Sequence, residues 1–148
     1  MPSNTTSDTE KGAIREYLCR LIGEPKQPVS YRPDLLVSGD GLLCVFVTYS
    51  AGEDLFYDVS EKDLVEWDGH ARAFIIFLMG NRERALVVPA RLLHKELVRA
   101  GRSVSDKYGD YKLHLVQQPG VYYFRELPDW ELSRYFNNYV PLLAPSSS

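Results

Sequence analysis

Apolar residues recur at three- and four-residue spacing at Ile14, Tyr17, Leu18, Leu21 and Ile22, which predicts an amphipathic helix with one buried face. Ser7 and Glu10 have the spacing of a capping box at its start. Gly23 and Pro25 mark its end. The pattern then becomes extended. Val29–Val37 reads as a strand bent, or placed at an edge, by Pro33. Ser38–Gly41 reads as a turn, and the unbroken run Leu42–Tyr49 as a strand buried on both faces. Phe56–Val59 reads as a short extended segment. Ser60, followed by Glu61, Lys62, Asp63 and then Leu64, Val65 and Trp67, reads as the cap of a short helix ending at Asp68-Gly69. Ala71–Met79 is a second buried strand, paired through a Gly80–Glu83 turn with Arg84–Val88. Pro89 suits the first turn of a helix that runs to about Ala100, with Gly101 as its stop. Lys112–Val116 and Val121–Glu126 form a hairpin around Gln117–Gly120. Asp129–Tyr139 reads as a last helix between Pro128 and Pro141.

Strands therefore come in adjacent pairs, separated by helices. That order predicts one α+β domain, with a central mixed or antiparallel sheet of about six strands flanked by about four helices, and argues against a doubly wound parallel sheet. The domain is expected to span residues 7–144, with polar, disordered ends at 1–6 and 145–148.

Composition narrows the picture. The chain has 148 residues, 45% hydrophobic and 25% charged, which suits one core. No stretch reaches the roughly 18–20 apolar residues of a membrane span, and the polar N-terminus does not read as a signal peptide. Cys19 and Cys44 match no paired spacing for metal or disulfide. A reduced, cytoplasmic setting without membrane attachment is the expectation. The net charge of −3 is unevenly spread. Residues 1–71 hold six Lys/Arg against thirteen Asp/Glu, a net −7, while residues 72–112 hold nine against four, a net +5. Such asymmetry marks either a polyanion-binding face or two surfaces that attract each other.

Two features carry candidate chemistry. The first is the stretch Tyr31–Ser50, in which Pro33-Asp34 is followed by a turn and an apolar strand, behind a helix bearing Glu10 and Glu16. Over residues 10–50 this resembles the core of restriction-endonuclease-like nucleases, the PD-(D/E)xK group. The resemblance implies Mg²⁺ held by Asp34, by an acid of the preceding helix and by an acid of the second strand, with a Lys serving the attacking water. In this chain the strand acid falls at Phe46 and the Lys at Thr48. Neither side chain can replace the missing carboxylate or positive charge. Two readings follow: an inactive relative kept for binding or assembly, or an unrelated hairpin in which Pro-Asp is a common turn pair. A working Mg²⁺ nuclease would need an acid from elsewhere, such as Glu53 or Asp54.

The second feature is basic. Placed on a helix at about 100° per residue, Arg91, Lys95 and Arg102 fall opposite Ala90, Leu93, Leu97 and Ala100, with Arg99 alongside. Arg82 and Arg84 precede this helix. Cations along a helix face can follow a phosphate backbone, and Arg can read guanine edges. Such residues are also the ordinary solvent face of an amphipathic helix. The aromatic residues Tyr122, Tyr123, Phe124, Trp130, Tyr135, Phe136 and Tyr139 could stack bases, but as a group they read better as core. His70, His94 and His114 share no metal-ligand pattern. No catalytic triad, phosphate-cradling loop, metal site or cofactor motif is present.

The sequence thus points to a noncatalytic nucleic-acid-binding module, with DNA favoured, of a restriction or genome-maintenance system. Arg82, Arg84, Arg91, Lys95, Arg99 and Arg102 are its expected contacts. The competing reading is a protein-interaction or assembly domain, including a homo-oligomer. A metal-dependent nuclease acting through Asp34 is the remaining alternative.

Overall fold

The computed structural model describes residues 3–22, 27–29, 32–37, 43–51, 54–68, 72–80, 83–104 and 109–143. Eight strands within them form two sheets. The first has the order β1(Gln27–Val29), β2(Arg32–Val37), β3(Leu43–Ser50), β5(Arg72–Met79), β6(Ala85–Pro89). The second has the order β4(Leu55–Ser60), β7(Asp110–Gln118), β8(Val121–Phe124). Every pairing is antiparallel except β3 with β5, which run parallel with Val47 opposite Ile76. Parallel neighbours need a long crossover. Here β4 and α2(Glu61–Trp67) supply it. The α+β class expected from the order of elements is the class observed, with the strands distributed over two sheets.

The two faces of the first sheet bury different partners. Leu36, Val45, Val47, Phe74, Ile76, Leu78 and Val87 pack with Ile14 and Leu18 of α1(Ser3–Ile22) and Leu142 of α4(Val140–Leu143). Leu35, Cys44, Ile75, Phe77, Leu86 and Val88 face the opposite way. They pack with α2, with α3(Ala90–Arg99), and with Tyr57, Leu113 and Phe124 of the second sheet. Consecutive residues of β3 and β5 point to opposite faces, and both faces are covered, which is why these strands read as continuous apolar runs.

Several boundaries follow local chemistry. The Ser60 hydroxyl accepts from the Asp63 N–H at 3.3 Å, capping α2 as its position predicts. Between β7 and β8, Pro119 precedes Gly120 at φ +75°, the residue types of a type II turn. α1 starts at Ser3, so Ser7 lies inside the helix and does not cap it.

The span Asp129–Tyr139 differs from the helix expected there. It holds only a short 3-10 turn, Ser133–Tyr135, followed by α4. Its backbone is spent on other elements: Glu131 bridges to Tyr123 and Phe136 to Leu86. The Leu132 N–H donates to the Tyr122 carbonyl at 2.7 Å. Asn137 adopts φ +49°, its amide oxygen accepting from the Ala85 N–H at 2.9 Å and its amide nitrogen donating to the Glu83 carbonyl at 2.7 Å. Anchored at these points, the segment covers β6, an edge strand of the first sheet. It thereby supplies partners for backbone groups that an edge leaves open. No helix among the described residues is long and apolar enough to cross a membrane.

Candidate nucleic-acid interface

α3 grows directly out of β6, with Pro89 as its N-cap residue. Its inward face is Ala90, Leu93 and Leu97, all buried. Burying that stripe forces the residues between it outward. Arg91, Lys95 and Arg99 are exposed, each one turn beyond the last, so they form a ridge about 12 Å long. Two apolar side chains lie on the same outward surface, Leu92 and Val98, the latter 61% exposed.

Of the six cations expected to act together, the five that the structure describes are divided. Arg84 lies at the far end of β6 from α3, where its guanidinium donates to the Gln117 side chain of β7. Arg82 lies outside the described residues. Arg102 is displaced by the way α3 ends. The Arg102 N–H donates to the Leu97 carbonyl, and the N–H of Gly101, at φ +69°, donates to the Val98 carbonyl, both at 3.0 Å. This is the Schellman arrangement, which turns the chain out of helical register. The alignment of Arg102 with Arg91 and Lys95 drawn on a continuous helix is therefore not kept. Its Nε instead donates to the Glu126 carbonyl at 2.9 Å.

The ridge borders a shallow depression of about 640 Å³ lined by Asp68, Arg91, His94, Lys95, Val98 and Arg99. Asp68 is the C-cap residue of α2, where a carboxylate opposes the negative end of the helix dipole. Cationic and polar groups of α3 meet it: His94 Nδ1 lies 2.6 Å from the Asp68 carboxylate, and Arg91 donates to the Asp68 carbonyl at 3.2 Å. Arg99 pairs with Glu96 one turn earlier, a hydrogen bond that raises its already high pKa. Among the described residues Lys95 has no hydrogen-bond or ion-pair partner. The acids temper the ridge: Asp68 and Glu96 stand against Arg91, Lys95 and Arg99. Sequence reasoning missed Asp68, because its partner His94 is 26 residues away.

The strand pair that carries the nuclease resemblance has a different character. Leu35 sits opposite Phe46 in the ladder, and the Phe46 ring packs on Trp67 with centroids 5.5 Å apart. Thr48 is partly buried. The side chain of Asp34 lies outside what the structure describes, as does Glu53; Asp54 is exposed. Among the described residues no group of three or more His, Cys, Asp or Glu is placed to hold a metal ion.

The C-terminal aromatics are committed to packing. Tyr122 stacks on Phe136 at 5.1 Å, Trp130 meets Tyr135 edge-on at 5.9 Å, and all four lie in or against the larger core. His114 is held by Glu126, with 2.5 Å between Nδ1 and the carboxylate, and rests on the Phe56 ring. His70 lies outside the described residues. Compared with known proteins, the chain matches no family model, no curated protein and no solved structure.

Proposed function

We propose that this protein is a noncatalytic nucleic-acid-binding module that lays the outward ridge of α3 against a phosphate backbone. One observation carries the reading: Arg91, Lys95 and Arg99 stand exposed along a single face of a helix whose opposite face is buried. A ridge of about 12 Å covers the axial rise of about three to four nucleotides of one strand. Lys95, without a described partner, is the cation most ready to exchange counterions for a phosphate. The contacts are thus Arg91, Lys95 and Arg99; Arg84 and Arg102 are hydrogen-bonded elsewhere, and Arg82 lies outside the described residues. Duplex DNA is the favoured ligand, since an exposed helix can enter its major groove. A place in a restriction or genome-maintenance system belongs to the same proposal and draws on the Pro33-Asp34 resemblance.

The test is fluorescence anisotropy with labelled duplex DNA, single-stranded DNA and RNA at low salt. Charge reversal by Arg91→Glu with Lys95→Glu is expected to abolish binding. Unchanged affinity would refute the proposal.

A second reading has one observation behind it. Leu92 and Val98 are exposed between the cations, and such a mixed apolar and cationic face also fits an acidic amphipathic protein segment. On that reading light scattering of the pure protein or of a mixture detects an assembly, and Val98→Ser weakens it while nucleic acid has no effect.

A further inference from the structure

On the face of the first sheet opposite α3, a cavity of about 580 Å³ opens between α1 and the C-terminal segment. Its size lies within the roughly 300–1,000 Å³ of small-molecule sites. One wall is a single face of α1, where Ala13 and Tyr17, and Glu16 and Arg20, stand four residues apart. The other wall is Asn137 and Tyr139. The Tyr17 and Tyr139 rings meet edge to face, centroids 5.3 Å apart and planes at 71°, so two aromatic surfaces stand at an angle to each other.

The polar groups of this cavity differ in how far they are already used. Both ends of the Asn137 amide are held by the backbone at Ala85 and Glu83, which fixes the second wall. The Tyr139 hydroxyl, by contrast, has no hydrogen-bond partner among the described residues, although its side chain is partly buried. Facing an open cavity, this hydroxyl is left to water or to a ligand. Burial, and then the neighbouring Tyr17, push its pKa up to about 12, so it keeps its proton and is available as a donor. Arg20 adds a cationic donor, while Glu16 and Glu83 add carboxylates. Among the described lining residues the formal charge is thus −1. A dianion such as a nucleotide phosphate is therefore a poor match, and a molecule of zero or single positive charge a good one.

We infer that this cavity binds a small zwitterion of the amino-acid type. Its carboxylate meets Arg20 and the Tyr139 hydroxyl, its ammonium group meets Glu16, and its apolar part lies against Tyr17 and Ala13. The inference is independent of the α3 ridge and stands or falls separately from it.

Three probes separate the contributions: L-phenylalanine, 3-phenylpropionate, which lacks the ammonium, and 2-phenylethylamine, which lacks the carboxylate. Each is titrated into the full chain by isothermal calorimetry, with ligand-observed NMR for weak binding. L-Phenylalanine is expected to bind more tightly than either fragment. Arg20→Met is expected to weaken L-phenylalanine and 3-phenylpropionate by about tenfold, the effect of one charge-assisted hydrogen bond, and to leave 2-phenylethylamine within about twofold. Glu16→Gln is expected to give the reverse pattern. Tyr139→Phe keeps the ring contact with Tyr17 and removes only the donor, so it tests the hydroxyl in a folded protein; the thermal transition confirms folding. No binding of any probe up to about 10 mM, or binding indifferent to all three substitutions, overturns the inference.

Discussion

Salt dependence separates the ridge seen in the structure from the larger basic surface suggested by composition. Binding to duplex DNA releases counterions, with a slope of log affinity against log salt of about −0.9 per phosphate neutralised. Six cations acting together would give about −5.4, and affinity would fall about 1,800-fold between 50 and 200 mM salt. Among the described residues three stand on one face, Arg91, Lys95 and Arg99, for a slope of about −2.7 and a fall of about 40-fold over the same range. The perturbation is Arg91→Gln with Lys95→Gln, which leaves one cation, a slope of about −0.9 and a fall of about 3.5-fold. Three is a ceiling, because Arg99 is paired with Glu96 and Arg91 is bonded to the Asp68 carbonyl. Arg84→Gln and Arg102→Gln serve as controls, since the structure places both away from the ridge. Anisotropy with a labelled duplex at several salt concentrations gives all the slopes. A wild-type slope near −5, or equal flattening by the Arg84 or Arg102 substitution, would refute this division of the basic residues.

Stability predictions follow from the same geometry. Asn137→Ala removes two side-chain hydrogen bonds and places a Cβ-bearing residue without a local bond at φ +49°; a loss of about 2–4 kcal/mol is expected in urea unfolding, and Asn137→Gly should recover about 1 kcal/mol of it. Gly101→Ala meets nothing within 4 Å of its Cβ, so its expected cost of about 1 kcal/mol is conformational strain at φ +69° alone. Tyr57→Phe removes the buried donor to the Leu78 carbonyl at 2.7 Å and should cost about 1–2 kcal/mol. Burial raises the pKa values of Tyr57 and Tyr139 in the folded state, so above pH 10 the unfolded chain loses these protons first. Their contribution to stability is therefore full below pH 10 and falls as pH rises toward about 12 through Tyr139, and Tyr57→Phe should make the alkaline unfolding curve shallower.

Much of this was legible because it depends on near neighbours in the chain. The buried stripe Ala90, Leu93, Leu97 follows from helical period, and the helix start at Ser60 from a hydroxyl before acids. The turn at Pro119-Gly120 follows from backbone preferences of two residues. The parts that were not legible depend on distant partners. Arg102 fits the helical wheel, but the Schellman end of α3 takes it out of register. Trp130, Leu132, Tyr135, Phe136 and Tyr139 have spacing compatible with a helix. Long-range bridges from Glu131 to Tyr123 and from Phe136 to Leu86 decide against one. The pairing of Asp68 with His94 joins two helices across 26 residues. The α1 side of the cavity lies within one helical face, but its second wall is formed by Asn137 and Tyr139, more than a hundred residues later.

The most direct measurement is a titration of ¹⁵N-labelled protein with a short DNA duplex, followed by amide chemical shifts. The largest changes are expected on the α3 amides from Arg91 to Arg99 and on neighbouring Asp68, reversing as the salt concentration rises. Changes confined to the second sheet or the C-terminal segment, or no changes at all at low salt, would contradict this.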